Sequence, residues 1–189
     1  TQTYTGAVTQ NAALTLSASG ITTGSTFAAS TYALTLTTDA IALGGALSGS
    51  STLVIQPKTN STTIGLGSST SNTLKLDDTE LGYLSDGFTS ITIGSTTGTG
   101  AIAIDYTNSY TFKDPLTIRS NTTGGGAITA TDALNTGTNS LTVTSGGAVS
   151  LAAVTSGTLA VTGTGITLNG DVTTSGTQTY TGAVTLGAN

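Results

Sequence analysis

Pairs of aliphatic residues separated by one small or polar residue recur along the whole chain. These triplets begin at Leu14, Leu34, Ile41, Leu53, Ile64, Leu74, Ile91, Ile102, Leu116, Leu141, Val149, Leu159, Ile166 and Val184. A period of two places the outer residues of each triplet on one face and the middle residue on the other, which is typical of a half-buried β-strand. The middle residue is often Thr, a strong β-former. The pattern predicts an all-β protein.

The spacing of the triplets favours a solenoid over a sandwich. The triplets mostly start 7 to 14 residues apart, and the intervening residues are rich in Gly, Ser, Thr, Asn and Asp. Aromatic residues make up 5% and Pro occurs twice, whereas a sandwich needs larger side chains to fill a core about 10 Å thick. We therefore expect a parallel β-helix of roughly eight to nine coils, each of roughly 20 residues.

The first nine residues recur without change near the other end of the sequence. Residues 1–9 read TQTYTGAVT, and residues 177–185 read the same, 176 positions later. Fixed self-similarity is typical of repeat proteins, whose units bury their apolar faces by stacking on neighbours. The chain is thus expected to be a single β-solenoid segment over 1–189, about one 176-residue period of a tandem array.

One acidic segment, residues 76–88, interrupts the triplets. Asp77 is followed three residues later by Glu80, which reads as a capping box at the start of a helix. We predict one helical turn over 79–84 that ends at Gly87. Leu81, Leu84 and Phe88 are expected to fold down over the solenoid.

Four stretches of the sequence resemble repeats of large filamentous-haemagglutinin-like bacterial surface proteins. These are residues 77–94, 100–104, 111–118 and 166–189, which alternate with Thr- and Gly-rich strands. The resemblance implies a right-handed coil and a protein that is secreted to the cell surface and works as an adhesin or filament. It brings no catalytic residues with it.

The composition argues against several classes of function. Cys and His are absent, so there are no disulfides, and the commonest general base and metal ligand is missing. The chain has four basic residues, Lys58, Lys75, Lys113 and Arg119. They are too few to form a surface that contacts the phosphates of a nucleic-acid backbone, so nucleic-acid binding is excluded. No stretch approaches the ~18 apolar residues of a membrane-spanning helix.

The acidic residues Asp77, Asp78, Glu80 and Asp86 are the one concentration of potential ligands in the sequence. They could bind Ca²⁺, which takes six to eight oxygens. They could also serve a glycosidase, because that chemistry uses paired carboxylates. The interpretation that we prefer is a capped helical turn with solvated charges, so no cofactor and no catalytic residue is predicted.

Threonine pairs of the form Thr-x-Thr raise the possibility of an ice-binding face. They occur at Thr1/Thr3, Thr97/Thr99, Thr136/Thr138, Thr142/Thr144, Thr162/Thr164 and Thr177/Thr179. Ordering of water requires one pair at the same place in every coil, and these pairs are irregularly spaced. We therefore favour ordinary outward-facing threonines on strands.

Together these observations predict a non-catalytic structural or adhesive segment of an extracellular bacterial surface or filament protein. Its expected partners are neighbouring repeats or identical subunits, stacked end to end, and glycans or cell surfaces. The alternatives are a polysaccharide-active enzyme on the same scaffold and an ice-binding solenoid.

Overall fold

The computed structural model describes residues 1–187 as a parallel β-solenoid with one short helix. This confirms the predicted fold class. All fourteen triplets lie in strands, because each provides two inward aliphatic residues and one outward residue. No helix within the described residues is long and apolar enough to span a bilayer.

The strands are short and numerous. Those of the first third are β1 Gln2–Tyr4, β2 Val8–Thr9, β3 Leu14–Ala18, β4 Ile21–Thr23, β5 Phe27–Ala28, β6 Leu34–Thr38, β7 Ile41–Leu43, β8 Leu47–Ser48 and β9 Thr52–Gln56. The middle third holds β10 Ile64–Leu66, β11 Leu74–Leu76, α1 Asp78–Gly82, β12 Ser90–Gly94, β13 Ile102–Ile104 and β14 Leu116–Arg119. The last third holds β15 Ile128–Ala130, β16 Leu134–Asn135, β17 Leu141–Thr144, β18 Val149–Leu151, β19 Val154–Ser156, β20 Leu159–Leu168, β21 Val172–Thr174 and β22 Gln178–Leu186.

Each coil has three faces, which the chain visits in the order A, B, C. Face A consists of β3, β6, β9, β12, β14, β17 and the first parts of β20 and β22. Face B consists of β1, β4, β7, β11, β10, β13, β15, β18 and the second parts of β20 and β22. Face C consists of β2, β5, β8, β16, β19 and β21, with isolated bridges from Leu47 to Leu84 and from Thr111 to Asn135.

The core is a set of aliphatic columns that run along the axis of the solenoid. On face A, in-register parallel pairing stacks Leu14, Leu34, Leu53, Ile91, Leu116, Leu141 and Leu159 in one column. All of these except Leu14 are buried almost completely. Each inward residue therefore packs against its equivalents in the coils before and after it.

The coils vary in length, although the strands stack regularly. Leu14 pairs with Leu34 and Leu34 with Leu53, so a regular coil takes about 20 residues. The next coil, from Leu53 to Ile91, is nearly twice as long. Residues 2–186 make eight coils, which lies within the predicted range.

The long coil contains a local reversal of strand order on face B. β11 lies beside β7, and β10, which precedes β11 in the sequence, lies on the far side of β11 and pairs with β13. The connection between β10 and β11 crosses over the outer side of Gly65, where a Cβ atom would overlap the Thr70 hydroxyl. Thr70 is 8% exposed and donates to the carbonyl oxygen of Gly67 at 2.9 Å. The glycine thus allows the loop to lie flat on the strand.

Candidate functional site

The acidic segment forms a helix that begins as the sequence predicts and ends earlier. The Asp77 carboxylate accepts from the Glu80 N–H at 2.9 Å, and the Glu80 carboxylate accepts from the Asp77 N–H at 3.0 Å, which confirms the capping box. The helix spans Asp78–Gly82 and has Tyr83 as its C-cap, so the helical turn predicted near 79–84 is confirmed, whereas the predicted stop at Gly87 was wrong. The chain must extend at Leu84 to bridge to Leu47 on face C.

The apolar residues of this segment close the long coil. Leu81, Leu84 and Phe88 are at most 3% exposed, which confirms that they fold down onto the solenoid. Gly87, predicted as the helix stop, lies further along, with φ of +125°. Its N–H donates to the Asp114 carboxylate at 3.0 Å. On face C the segment therefore contributes one bridging residue, Leu84, in place of a two- or three-residue strand.

Glu80 ties the helix to the preceding coil. Its Oε1 accepts from the backbone N–H of Leu43 at 2.8 Å, while its Oε2 belongs to the capping box. Burial raises the pKa of Glu80 above its ordinary value. Both carboxylate oxygens are thus used within the protein.

Asp78 joins two other loops to the start of the helix. Its Oδ1 accepts from the N–H of Ser68 at 2.9 Å, and its Oδ2 accepts from the N–H groups of Thr107 and Asn108 at 3.0 and 3.1 Å. Burial acts to raise the pKa of Asp78, but these hydrogen bonds together outweigh it and lower the pKa. The carboxylate is therefore held in its charged form by backbone donors.

Asp86 lies apart from the other three and faces Asp114. Asp114 is 3% exposed, and its Oδ2 has no hydrogen-bond partner within the described residues. Burial raises the pKa of Asp114, and the charge of Asp86 and a side-chain hydrogen bond with it act in the same direction. The backbone hydrogen bonds from Gly87 and Phe88 act to lower this pKa but do not outweigh the burial. Asp86 and Asp114 thus form a close pair of carboxyl groups.

The four acidic residues considered for Ca²⁺ do not form a ligand shell. Asp77 and Glu80 bind each other's backbone, Asp78 binds the backbone of two other loops, and Asp86 faces Asp114. Within residues 1–187, no three carboxylates are grouped so that they could hold a metal ion. In the structure these side chains organise the backbone.

Two further aspartates that the sequence interpretation overlooked have the same role. Asp39 accepts from the N–H groups of Lys58 and Thr59 at 3.0 and 2.8 Å, and from two Thr hydroxyls. Burial acts to raise the pKa of Asp39, and these bonds lower it overall. Asp132 accepts from the N–H of Tyr106 at 2.6 Å. Their position just after a strand is the signal that could have indicated this role.

The outer side of face A carries a column of threonines. In-register pairing aligns Thr15, Thr35, Val54, Thr92, Thr117, Thr142, Ala160 and Thr179. Successive members are one strand spacing apart, about 4.8 Å. Sequence spacing hides this alignment because the differences in coil length fall in the loops. The prediction considered Thr-x-Thr pairs and did not address this column of single outward threonines.

The Thr-x-Thr pairs named above do not themselves form that column. Of those pairs, Thr142/Thr144 lies on face A, together with Thr177/Thr179 at its edge. Thr97/Thr99 and Thr136/Thr138 lie in loops and corners. The column is built instead from the middle residues of the face A triplets.

The two copies of the nine-residue repeat lie on different faces. In the first copy, Gln2–Tyr4 pairs with β4 on face B, and Val8–Thr9 pairs with β5 on face C. In the second copy, residues 178–181 pair with β20 on face A, and residues 183–186 pair with β20 on face B. The same sequence thus forms the corner between faces B and C in the first copy and the corner between faces A and B in the second copy.

Both copies keep the same inward and outward sides. The Tyr4 hydroxyl donates to the Gln2 side chain at 3.4 Å, and the Tyr180 hydroxyl donates to Gln178 at 2.9 Å. Tyr4 and Tyr180 pack against the core, and Tyr4 also meets Phe27 edge-on, with ring centroids 6.4 Å apart. The tyrosine therefore faces inward in both copies.

No surface pocket is found on residues 1–187. Comparisons of the chain with profiles of known protein families, with curated proteins and with solved structures found no match.

Proposed function

We propose that this chain is a non-catalytic structural and adhesive segment of a secreted bacterial cell-surface or filament protein. The observation that carries the proposal is a continuous stack of eight coils whose first and last strands have the same sequence. A stack of this kind extends by adding further coils, because every coil pairs with its neighbours through the same parallel hydrogen bonds. The proposed function is therefore to extend a continuous rod and to present the same surface repeatedly along it.

The last described strand has the properties of a surface that receives another coil. Val184 and Leu186 are 43% and 74% exposed, although the residues that they stack on, Ile166 and Leu168, are buried. A strand edge of nine residues with apolar side chains is a template for further pairing. End-to-end stacking with another unit of the same sequence buries these groups.

The resemblance to filamentous-haemagglutinin-like proteins supports the same function and an extracellular location. Adhesion in such an array need not be strong at any one site. Linking units raises the effective concentration of the second site and multiplies weak binding along the rod. Glycans or cell surfaces are the proposed targets.

The stacking is tested with a two-unit chain, in which residue 176 of one unit is followed directly by residue 1 of a second full unit. Electron microscopy is expected to show one straight rod of about twice the length of the single unit. Proline in place of Gln2 in the second unit removes a backbone donor from a central strand, and we expect it to bend or split the rod there. The control is Gln2→Ala at the same position, which keeps the donor. Two separate beads joined by a mobile link, in the unmodified chain, would refute the proposal.

Adhesion is tested by comparing one-unit and two-unit chains on a panel of immobilised polysaccharides. We expect the two-unit chain to be retained at least ten-fold more strongly on any surface that retains the single unit, since the second contact becomes intramolecular. Absence of retention on every surface tested, or only a doubling, would contradict the adhesive part of the proposal.

The Thr column of face A favours ice binding as a second candidate function. Thr92, Thr117 and Thr142 form an uninterrupted run of the column, at a spacing of about 4.8 Å. Regular ranks of hydroxyl and methyl groups on a flat face can order water. The candidate predicts thermal hysteresis that Thr117→Leu abolishes and that Thr129→Leu, on the outer side of face B, leaves intact. A full chain without thermal hysteresis would exclude this function.

A further inference from the structure

The two placements of the nine-residue repeat have a geometric consequence for an array. Gln2 lies on face B, whereas its counterpart Gln178 lies on face A. Between them the chain passes through seven full coils and two further faces. The repeat of 176 residues is therefore not a whole number of coils.

The two copies show, one each, the two sets of backbone hydrogen bonds that a strand shared by two stacked units would make. The first copy pairs with the coil that follows it, since the Gln2 N–H donates to the Gly20 carbonyl at 2.8 Å and the Tyr4 carbonyl accepts from Gly24 at 2.7 Å. The second copy pairs with the coil that precedes it, since the Thr177 carbonyl accepts from the Leu159 N–H at 3.0 Å. In a strand, alternate residues direct their backbone groups to opposite neighbours. One nine-residue strand can therefore make both sets of bonds at once.

We infer that successive units of the array are turned relative to one another by one face, a third of a turn. This inference rests on the proposed stacking function. The coil equivalent to 21–28 of the next unit then pairs with the second copy, as β4 and β5 pair with the first copy in this structure. Its Ile21 lies beside Gln178 on face A, and its Phe27 lies beside Val184 on face B. Every later strand of the next unit is shifted by the same one face.

The glycine of the repeat allows this shift. Gly6 makes the corner from face B to face C without a positive φ, whereas Gly182 makes the corner from face A to face B with φ of +136°. A side chain at position 182 would be strained in that conformation, and a Cβ atom there would overlap the Gly163 carbonyl oxygen. Glycine is compatible with both corners, so the repeat can follow either face.

The turn decides how the array displays its irregular part. The helix α1 and its loops occur once in each unit, on one side of the rod. A third of a turn per unit places the helices of three consecutive units on three different sides. The helix of the fourth unit lies on the same side as the helix of the first. A partner that binds this segment therefore finds binding sites on three sides of the rod.

Spin labels on the two-unit chain test the turn directly, because the chain has no cysteine of its own. One label is placed at Thr142→Cys in the first unit, in the outer column of face A. The second is placed at either Thr22→Cys or Thr15→Cys in the second unit. If the units are turned, Thr22 joins the column three strands after Thr142, at about 14 Å, and Thr15 lies on another face at a longer distance.

The outcomes are distinct. A short distance from Thr142 to Thr22 and a long one to Thr15 supports the turn. The reverse order, with Thr15 about 10 Å from Thr142, overturns the turn and leaves the straight rod intact. Two long distances in a chain that microscopy shows as two beads overturn both the turn and the stacking. The single unit labelled at Thr22 and Thr142 gives the reference for distant labels, and a crystal structure of the unlabelled two-unit chain decides the same question without labels.

Discussion

The regular coils and the inserted segment, residues 57–88, are stabilised in different ways. In the regular coils, each inward aliphatic residue has an equivalent above and below it, so stability comes from repetition of the same packing. In the inserted segment, Asp78 and Glu80 bind backbone donors of other loops and coils, and face C is reduced to a single bridge at Leu84. Repetition tolerates variable loops, whereas the inserted segment depends on individual polar contacts.

The largest expected effect is a loss of packing in the regular coils. Ile93 is fully buried in face A between Ile55 and Ile118. Ile93→Ala should lower the free energy of unfolding by about 2–5 kcal/mol, because it opens a cavity in a column that cannot collapse. The measurement is urea unfolding followed by circular dichroism. The adjacent outward change Thr92→Val should cost under about 0.5 kcal/mol, and equal effects of the two changes would refute the column description.

The next effect concerns the loop that crosses β10 in the inserted segment. Gly65→Ala brings a methyl group against the Thr70 hydroxyl, and it should cost about 1–3 kcal/mol through overpacking. The matched control is Gly82→Ala in α1, where no atom lies within 4 Å of the added Cβ. That change should be neutral or stabilise by up to about 1 kcal/mol. If Gly65→Ala is as stable as the control, the loop does not lie against the strand.

A smaller effect, with a defined pH dependence, is expected at Asp78. The pKa of Asp78 is lowered in the folded state, so its contribution is present above the unfolded pKa of about 3.9 and is lost as pH falls through the folded pKa. Asp78→Asn should cost about 1 kcal/mol at pH 7, since the site is partly exposed to water. It should also flatten the loss of stability in acid. The exposed residue Asp171 provides the control, and an unchanged acid profile of Asp78→Asn would count against the proposed bonds.

The smallest effect, of the opposite sign, is expected at Asp114. Its pKa is raised in the folded state, so its contribution is present at low pH and is lost as pH rises from about 4 through the folded pKa. Asp114→Asn keeps an acceptor for Gly87 and removes the buried charge. We expect a gain of up to about 1 kcal/mol at pH 7. Asp86→Asn should act in the same direction and more weakly, because it removes the neighbouring charge. A loss of stability in Asp114→Asn would show that the carboxylate of Asp114 is needed.

Much of the fold could be predicted from short stretches of sequence. Each triplet holds enough apolar residues to define a strand and its inward side, and all fourteen form strands. Strands such as Phe27–Ala28 and Val172–Thr174 were missed because they have one inward apolar residue each. A single apolar residue among Gly, Ser and Thr does not produce the alternation of apolar and polar positions by which a strand is recognised.

The acidic segment was predictable at its start and not at its end. The capping box is a contact between Asp77 and Glu80, three residues apart, so it can be recognised locally. The end of the helix depends on the bridge between Leu84 and Leu47, which are in different coils. The targets of Asp78 are equally remote in sequence, so its role could not be inferred from its neighbours.

Local patterns, then, dictate which residues form strands, which side chains face inward and where the helix begins, since these depend on residues a few positions apart. Pairing between coils decides the rest. It sets the reversed order of β10 and β11, the alignment of the face A threonines and the face on which each copy of the repeat lies. These features depend on the number of residues in each loop, because loop length sets which strands pair and in which register. The identical sequences 1–9 and 177–185 therefore lie on different faces.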